Sequence, residues 1–158
     1  MMLTITPAPV RKTVHVNATA QRAFDVFTVR MHDWTPPSHS LLTVPRTELH
    51  IEPRQGGRWY ERGGDGSECD WGYVIAWEPP HRLVLAWQLD AQFRFNPDLV
   101  TEVETRFIVE GPNRTRVELE HRNLDRFGER AEAVRAALDS PEGWGTVAQI
   151  AALAEQAA

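Results

Sequence analysis

The chain has 158 residues, of which 42% are hydrophobic and 25% are charged, and its formal net charge is −5. This composition is ordinary for a soluble globular protein, and the length suits one domain with a core of its own. Because nucleic acids and anionic membranes attract basic surfaces, the acidic balance predicts no nucleic-acid partner and no membrane insertion. The single cysteine, Cys69, excludes an intrachain disulfide. With no signal-peptide pattern in the first residues, these features favour a cytoplasmic monomer or dimer.

The N-terminal part of the chain predicts a tail, a strand and a helix. Residues 1–10 contain two prolines and little pattern, which indicates a loose tail before a single domain over 11–158. An alternating run at 13–16 predicts the first strand. Apolar residues at helical spacing follow the candidate cap Thr19 and predict a helix to about Val29.

Six alternating runs then predict an antiparallel sheet. They lie at about 47–52, 56–62, 69–77, 83–89, 102–110 and 116–121, with turn residues between them. Short turns between consecutive strands indicate a meander with one covered and one exposed face. Glu102, Glu104, Glu118 and Glu120 alternate with apolar residues, which predicts a solvated charge ladder instead of an acid–base pair.

Two helical patterns end the chain. Residues 126–138 are rich in alanine, and the Ser-Pro-Glu run at 140–142 has the residue types of a helix start. In the segment that follows, Trp144, Val147 and Ala151 share one stripe and are spaced to lie on a sheet. The order strand, helix, six strands, helix predicts an α+β fold.

Tryptophan and histidine are the residue types that point towards a site. Four of the six tryptophans fall within the strand region, where such bulky side chains either fill a core or line a pocket. His121 is the last residue of a predicted strand and lies on its apolar face. Its side chain is either a hydrogen-bonded core residue or a polar group that points into a pocket. The histidines and Cys69 lack metal-site spacing, and the serines lack a nucleophile motif. We therefore predict no catalytic residues, no metal and no cofactor.

Several motifs occur in a characteristic order. They are AFDVFT at 23–28, PRQGGRW at 53–59, GYVIAWEPPHRL at 72–83, EV at 102–103, TRVELEH at 115–121 and GW at 143–144. From Arg11 onwards the chain resembles the SRPBCC superfamily, the helix-grip fold of START domains and birch-pollen-type allergens. It is most similar to the branch related to the C-terminal domain of activators of the heat-shock chaperone ATPase (AHSA-type).

The resemblance implies a curved antiparallel sheet wrapped around a long C-terminal helix, with a cavity for an apolar ligand between them. A binding protein is favoured over an enzyme, and we expect it to take up a small apolar or amphipathic molecule. The expected cavity wall consists of Trp71, Tyr73, Trp87, Phe93, Phe95, Phe107, His121, Trp144, Val147 and Ala151.

Two alternatives to a ligand-binding protein stay open. One is a protein-interaction module that acts on a chaperone, which the resemblance implies through the chaperone activators. The other is a cavity enzyme of the cyclase or hydrolase type that uses His121 or Tyr73 with bound water.

Overall fold

A computed structural model describes residues 7–156 and contains one seven-stranded antiparallel sheet with the strand order β1-β7-β6-β5-β4-β3-β2. The strands are β1 (Val10–Val16), β2 (Arg46–Ile51), β3 (Arg58–Gly63), β4 (Glu68–Glu78), β5 (Arg82–Trp87), β6 (Thr101–Gly111) and β7 (Arg114–Arg122). Strands β2 to β7 form the predicted meander, and β1 pairs with β7 at the far edge. The predicted tail lies mostly outside the described residues, and its last residue, Val10, belongs to β1.

Four α-helices accompany the sheet in the described part of the chain. They are α1 (Ala20–Val29), α2 (Met31–Trp34), α3 (Ala131–Asp139) and α4 (Gln149–Glu155), and 3₁₀ segments occupy Pro37–His39, Leu124–Arg130 and Trp144–Ala148. Thr19 caps α1 as predicted, since its hydroxyl oxygen accepts the Arg22 N–H at 3.1 Å. No helix within residues 7–156 is long and apolar enough to cross a membrane. The α+β helix-grip fold is confirmed.

The helical stretch after β7 is divided between α3 and the last 3₁₀ segment. Ser140 has extended backbone geometry, as expected before a proline, and its hydroxyl oxygen accepts the Gly143 N–H at 3.0 Å. A Cβ atom at Gly143 would lie 2.4 Å from the Ala137 carbonyl oxygen, so only glycine fits this close approach. The resulting turn places Trp144 against the sheet.

One part of the core lies between α1 and the sheet. The rings of Phe24 and Phe27 pack against Phe107 with centroid distances of 5.1 and 5.8 Å. The Arg22 guanidinium donates to the backbone carbonyl oxygens of Leu153 and Ala154, which fastens the end of α4 to α1. Phe107 is therefore a core residue.

Strand β4 contains a bulge that changes which side chains face inwards. Trp59 pairs with Gly72 and Tyr60 pairs with Asp70, so Trp71 is an extra residue in β4. Beyond the bulge Val74 is buried, whereas Tyr73 is 38% exposed. The prediction that Tyr73 belongs to the cavity wall together with Trp71 is wrong for this reason.

The outer face of the sheet carries the predicted charge ladder, but Glu104 is not solvated. Its carboxylate accepts hydrogen bonds from Arg82 and Arg122 at 2.6 Å and from Arg106 at 3.1 Å, and the side chain is almost fully covered. Burial raises the pKa of Glu104, but these hydrogen bonds outweigh it and lower the pKa to about 2. Arginine side chains have replaced water around this carboxylate.

Candidate functional site

A cavity of about 410 Å³ opens beside the sheet. Strands β3, β4 and β5 form one wall, residues 31–41 form a second, and the connection around 137–146 forms the third. Five of the six tryptophans line this cavity: Trp34, Trp59, Trp71, Trp87 and Trp144. The volume and the aromatic lining are typical of a site for a small molecule.

The indole rings of the cavity support one another. Trp59, Trp71 and Trp87 form a triangle with centroid distances of 5.5, 5.8 and 6.2 Å, and Trp144 lies 5.6 Å from Trp87. Their planes meet at about 60° in each pair. Such tilted contacts between aromatic rings are favourable, so the wall is pre-organised.

Most indole N–H groups are used to hold the rings in place. Trp34 donates to the Phe27 carbonyl oxygen at 3.2 Å, and Trp144 donates to Nδ1 of His121 at 2.9 Å. Trp71 donates to the Glu61 carboxylate at 2.5 Å. The buried Trp59 N–H has no partner among residues 7–156.

Glu61 lies directly behind the cavity wall, on β3, and has no exposed surface. Its Oε1 accepts the Ser40 hydroxyl at 2.5 Å, and its Oε2 accepts the Leu41 N–H at 3.0 Å as well as the Trp71 N–H. All three donors belong to residues that line the cavity. Glu61 was not among the predicted site residues, although its alternation with Trp59 along β3 puts it on the buried face.

His121 is a fully buried neutral residue outside the cavity. Its Nδ1 accepts the Trp144 N–H, so Nε2 carries the proton and donates it to the Thr101 hydroxyl oxygen at 2.7 Å. Burial lowers its pKa to about 3. The rings of Trp87 and Trp144 lie 5.1 and 5.9 Å from the imidazole, between it and the cavity. The predicted place of His121 in the wall is wrong.

The structure brings only part of the predicted wall together. Trp71, Trp87, Phe93 and Trp144 line the cavity, whereas Tyr73, Phe95, Phe107, His121, Val147 and Ala151 do not. The predicted contribution of the last helix fails because α4, with Ala151, packs against α1 and β1, and the 3₁₀ segment with Val147 packs against β1. The cavity lies beside the connection that precedes α4.

Phe93 reaches the cavity mouth from a hairpin turn between β5 and β6. Its φ angle is 58°, in the left-handed region that bulky residues rarely adopt. The Asp90 carboxylate accepts the backbone N–H groups of Gln92 and Arg94, and Leu89 pairs with Phe95 behind the turn. These contacts hold an aromatic ring, 40% exposed, at the rim.

Polar side chains are concentrated at the rim. Ser38, His39 and Ser40 line the cavity on one side, and Glu142 lies on the other. Burial lowers the pKa of His39, nearby Arg46 acts in the same direction, and Glu142 opposes them. Residues 7–156 contain no group of three or more His, Cys, Asp or Glu side chains that could hold a metal ion. The site therefore combines an aromatic interior with a polar edge.

The family model described as Activator of Hsp90 ATPase homolog 1-like protein matches residues 17–155. Comparison with curated proteins gives no match.

Several solved structures are similar to the chain. The anthrahydroquino-gamma-pyrone synthase Txn09 shares 41% identity over 92% of this chain and 97% of its own, with a TM-score of 0.63. CalC, a self-sacrificing resistance protein from Micromonospora echinospora, shares 29% over 94% of each chain, with a TM-score of 0.68. An HSP90 activator from Plasmodium falciparum shares 21% over 74% of each chain, with a TM-score of 0.50, and shows likeness of fold alone.

Proposed function

The chain belongs to the family of Activator of Hsp90 ATPase homolog 1-like proteins, and on that premise we propose that its cavity binds a small planar aromatic molecule. The observation that carries the proposal is the lining of the cavity by five tryptophans. Flat indole surfaces interact best with other flat rings, whereas a flexible aliphatic chain would leave much of this surface without close contact.

The size of the cavity is consistent with useful affinity. A ligand of a few fused rings that buries roughly 300 Å² of apolar surface would gain about 7 kcal/mol at ~25 cal/mol per Å², before the costs of association. Because hydrogen bonds and mutual packing already hold the indoles, little further side-chain ordering opposes binding. Dissociation constants in the micromolar range are therefore attainable.

The relative Txn09 supports the same class of ligand. Its name describes a fused aromatic ring system, and it is 41% identical to this chain over almost the full length of both. The polar rim on the side of Ser38, His39 and Ser40 suits a ligand whose edge bears oxygen atoms.

A second candidate function is ring-forming catalysis on such a molecule. Txn09 is a synthase, and the carboxylate of Glu61 lies against the wall of the cavity in contact with the Ser40 hydroxyl. His121 and Tyr73 carry no such role, since one is sealed behind tryptophans and the other faces outwards. Contact with a chaperone stays a prediction from the family alone.

Tryptophan fluorescence tests the binding proposal. We expect hydroxyanthraquinone to quench the emission in a saturable way with a micromolar dissociation constant, because five of the six fluorophores line the site. Dodecanol, an apolar but aliphatic probe, should bind at least about 10-fold more weakly, which corresponds to ~1.4 kcal/mol of lost ring contact.

Two variants provide the matched control. Trp87→Leu removes a ring at the centre of the wall and should weaken hydroxyanthraquinone binding about 10-fold. Trp77→Leu removes the tryptophan that packs on Phe24 outside the lining and should leave the affinity unchanged. Absence of saturable binding, or equal losses in the two variants, would contradict the proposal.

A further inference from the structure

We infer that Glu61 and Ser40 form a proton-transfer pair that removes an acidic proton from a planar aromatic ligand bound in the cavity. The inference rests on the proposed function and adds chemistry to the same site. It assigns Ser40 as the group in contact with the ligand and Glu61 as the final proton acceptor behind it.

The geometry is that of a relay. Ser40 lines the cavity, and its hydroxyl donates to Oε1 of Glu61 at 2.5 Å. The Ser40 oxygen also accepts the Leu42 N–H at 3.2 Å. A hydroxyl oxygen has two lone pairs, so one remains available to take a proton from a ligand while the hydroxyl proton passes to Glu61.

Glu61 is also in an unusual setting for a structural carboxylate. Glu104, the other buried glutamate, is surrounded by three arginines on the outer face. Glu61 has no exposed surface, and none of its hydrogen-bond partners in the described part of the chain is a cation. Arg46 is near enough to attract the carboxylate, but it donates its hydrogen bonds to His32 and Thr35. A neutral side chain could hold the 40–41 segment without the cost of burying a charge.

Other groups keep the acceptor in position during the transfer. The N–H groups of Leu41 and Trp71 both bind Oε2, which leaves Oε1 to the Ser40 hydroxyl. These donors and the Ser40 hydroxyl fix the orientation of the carboxylate, and a general base needs such positioning within hydrogen-bond reach of the proton that it accepts. The Trp71 indole thereby links the aromatic wall to the proton acceptor.

The proposed step is balanced without any further reagent. A C–H or O–H bond of the ligand breaks, and its electron pair stays on the ligand as an enolate or phenolate. The ligand proton goes to Oγ of Ser40 while the Ser40 proton goes to Oε1 of Glu61. Return of a proton along the same path to another ligand atom completes an isomerisation.

Nitrobenzisoxazole is a suitable probe for this pair. It is planar and aromatic, and removal of its ring C–H proton by a base breaks the N–O bond and forms a nitrile and a coloured phenolate. We expect saturable acceleration of this reaction by the wild-type protein. Glu61→Gln should lower kcat about 100-fold or more while hydroxyanthraquinone still binds, because Glu61 does not itself line the cavity. Ser40→Ala should also lower kcat, because it removes the relay hydroxyl.

Glu118→Gln is the matched control, because Glu118 is a carboxylate on the outer face of the sheet, paired with Arg116 and outside the cavity lining. It should keep the wild-type kcat. If Glu61→Gln does not fold, as judged by circular dichroism, Ser40→Ala decides the question, since it removes only the relay hydroxyl.

The inference is overturned if the wild-type protein does not accelerate the reaction, or if Ser40→Ala turns over as fast as wild type. It is also overturned if Glu118→Gln lowers kcat as much as Glu61→Gln does. Hydroxyanthraquinone binding without turnover of the probe would refute the proton-transfer pair and leave the binding proposal standing. Turnover that depends on Glu61 and Ser40, without hydroxyanthraquinone binding, would refute the proposed ligand class alone.

Discussion

At the scale of single residues, His121 illustrates how burial determines the role of a titratable side chain. Its imidazole is enclosed by Trp87 and Trp144, donates to Thr101 and accepts from the Trp144 indole. Both ring nitrogens are therefore satisfied in the neutral form. Protonation would place an uncompensated charge in this environment, which makes His121 a pH-sensitive element of stability.

We predict that folding stability decreases as the pH falls from about 6.5, because burial lowers the folded-state pKa of His121 from 6.5 to about 3. In that interval the unfolded chain binds a proton at His121 that the folded chain does not. The contribution is fully present above about pH 6.5, and urea denaturation should show a loss of up to about 1.4 kcal/mol per pH unit below it.

A variant separates His121 from other titrating groups. His39, whose pKa is also lowered, acts in the same direction, and Glu104 adds a loss below about pH 4.5. His121→Asn keeps a hydrogen-bond acceptor for Trp144 but cannot titrate, so its stability should be lower at neutral pH and less dependent on pH. The exposed His15→Gln is the control, and identical slopes for His121→Asn and wild type would contradict the prediction.

The same residues show what the sequence could and could not predict at this scale. The apolar alternation of β7 correctly indicated that His121 points inwards. Glu61 was missed, although it alternates with Trp59, because a glutamate normally favours solvent. The hydrogen bonds that compensate for the burial of its carboxylate come from Ser40, Leu41 and Trp71, and only the folded chain brings these donors together.

At the scale of elements, Glu104 joins three neighbouring strands. It lies on β6 and binds Arg82 from β5 and Arg122 from β7. The nitrogen–oxygen distance is 2.6 Å in both ion pairs, and the Glu104 side chain is only 6% exposed. Solvent therefore screens these contacts less than it screens surface ion pairs.

We predict that Glu104→Gln lowers the free energy of unfolding by about 1.5–3 kcal/mol, because charge-assisted hydrogen bonds to three arginines are lost. Urea denaturation at neutral pH measures this. Glu118→Gln is the control: its carboxylate pairs with Arg116 but is 41% exposed, and its loss should cost less than about 1 kcal/mol. Equal effects in the two variants would mean that Glu104 has no special role.

The order of the elements was predictable, but the inward-facing residues after the bulge were not. Turn residues and alternation predicted the strands, and the Ser-Pro pair predicted a boundary near Ser140. The bulge at Trp71 has no local signature, since it depends on how β3 and β4 pair. It moved Tyr73 outwards and Val74 inwards, which removed one predicted wall residue.

At the scale of the whole molecule, the fold and the aromatic character of the cavity were predictable, but the position of the cavity was not. The family resemblance implied a cavity between the sheet and the last helix. That helix packs on α1 and β1 instead, and the space opens beside the turn at 140–143. The position of the cavity depends on packing between elements that are distant in the sequence, and the apolar stripe of a single helix does not predict that packing.

The six indole N–H signals in a nitrogen–proton correlation spectrum provide the most direct test of the central claim, that the tryptophan-lined cavity binds a planar aromatic molecule. On titration with hydroxyanthraquinone we expect the signals of the five lining tryptophans to shift and then to saturate together. The signal of Trp77, which packs on Phe24 away from the cavity, should stay in place. Shifts confined to Trp77, or no saturable shift at any tryptophan, would contradict the account.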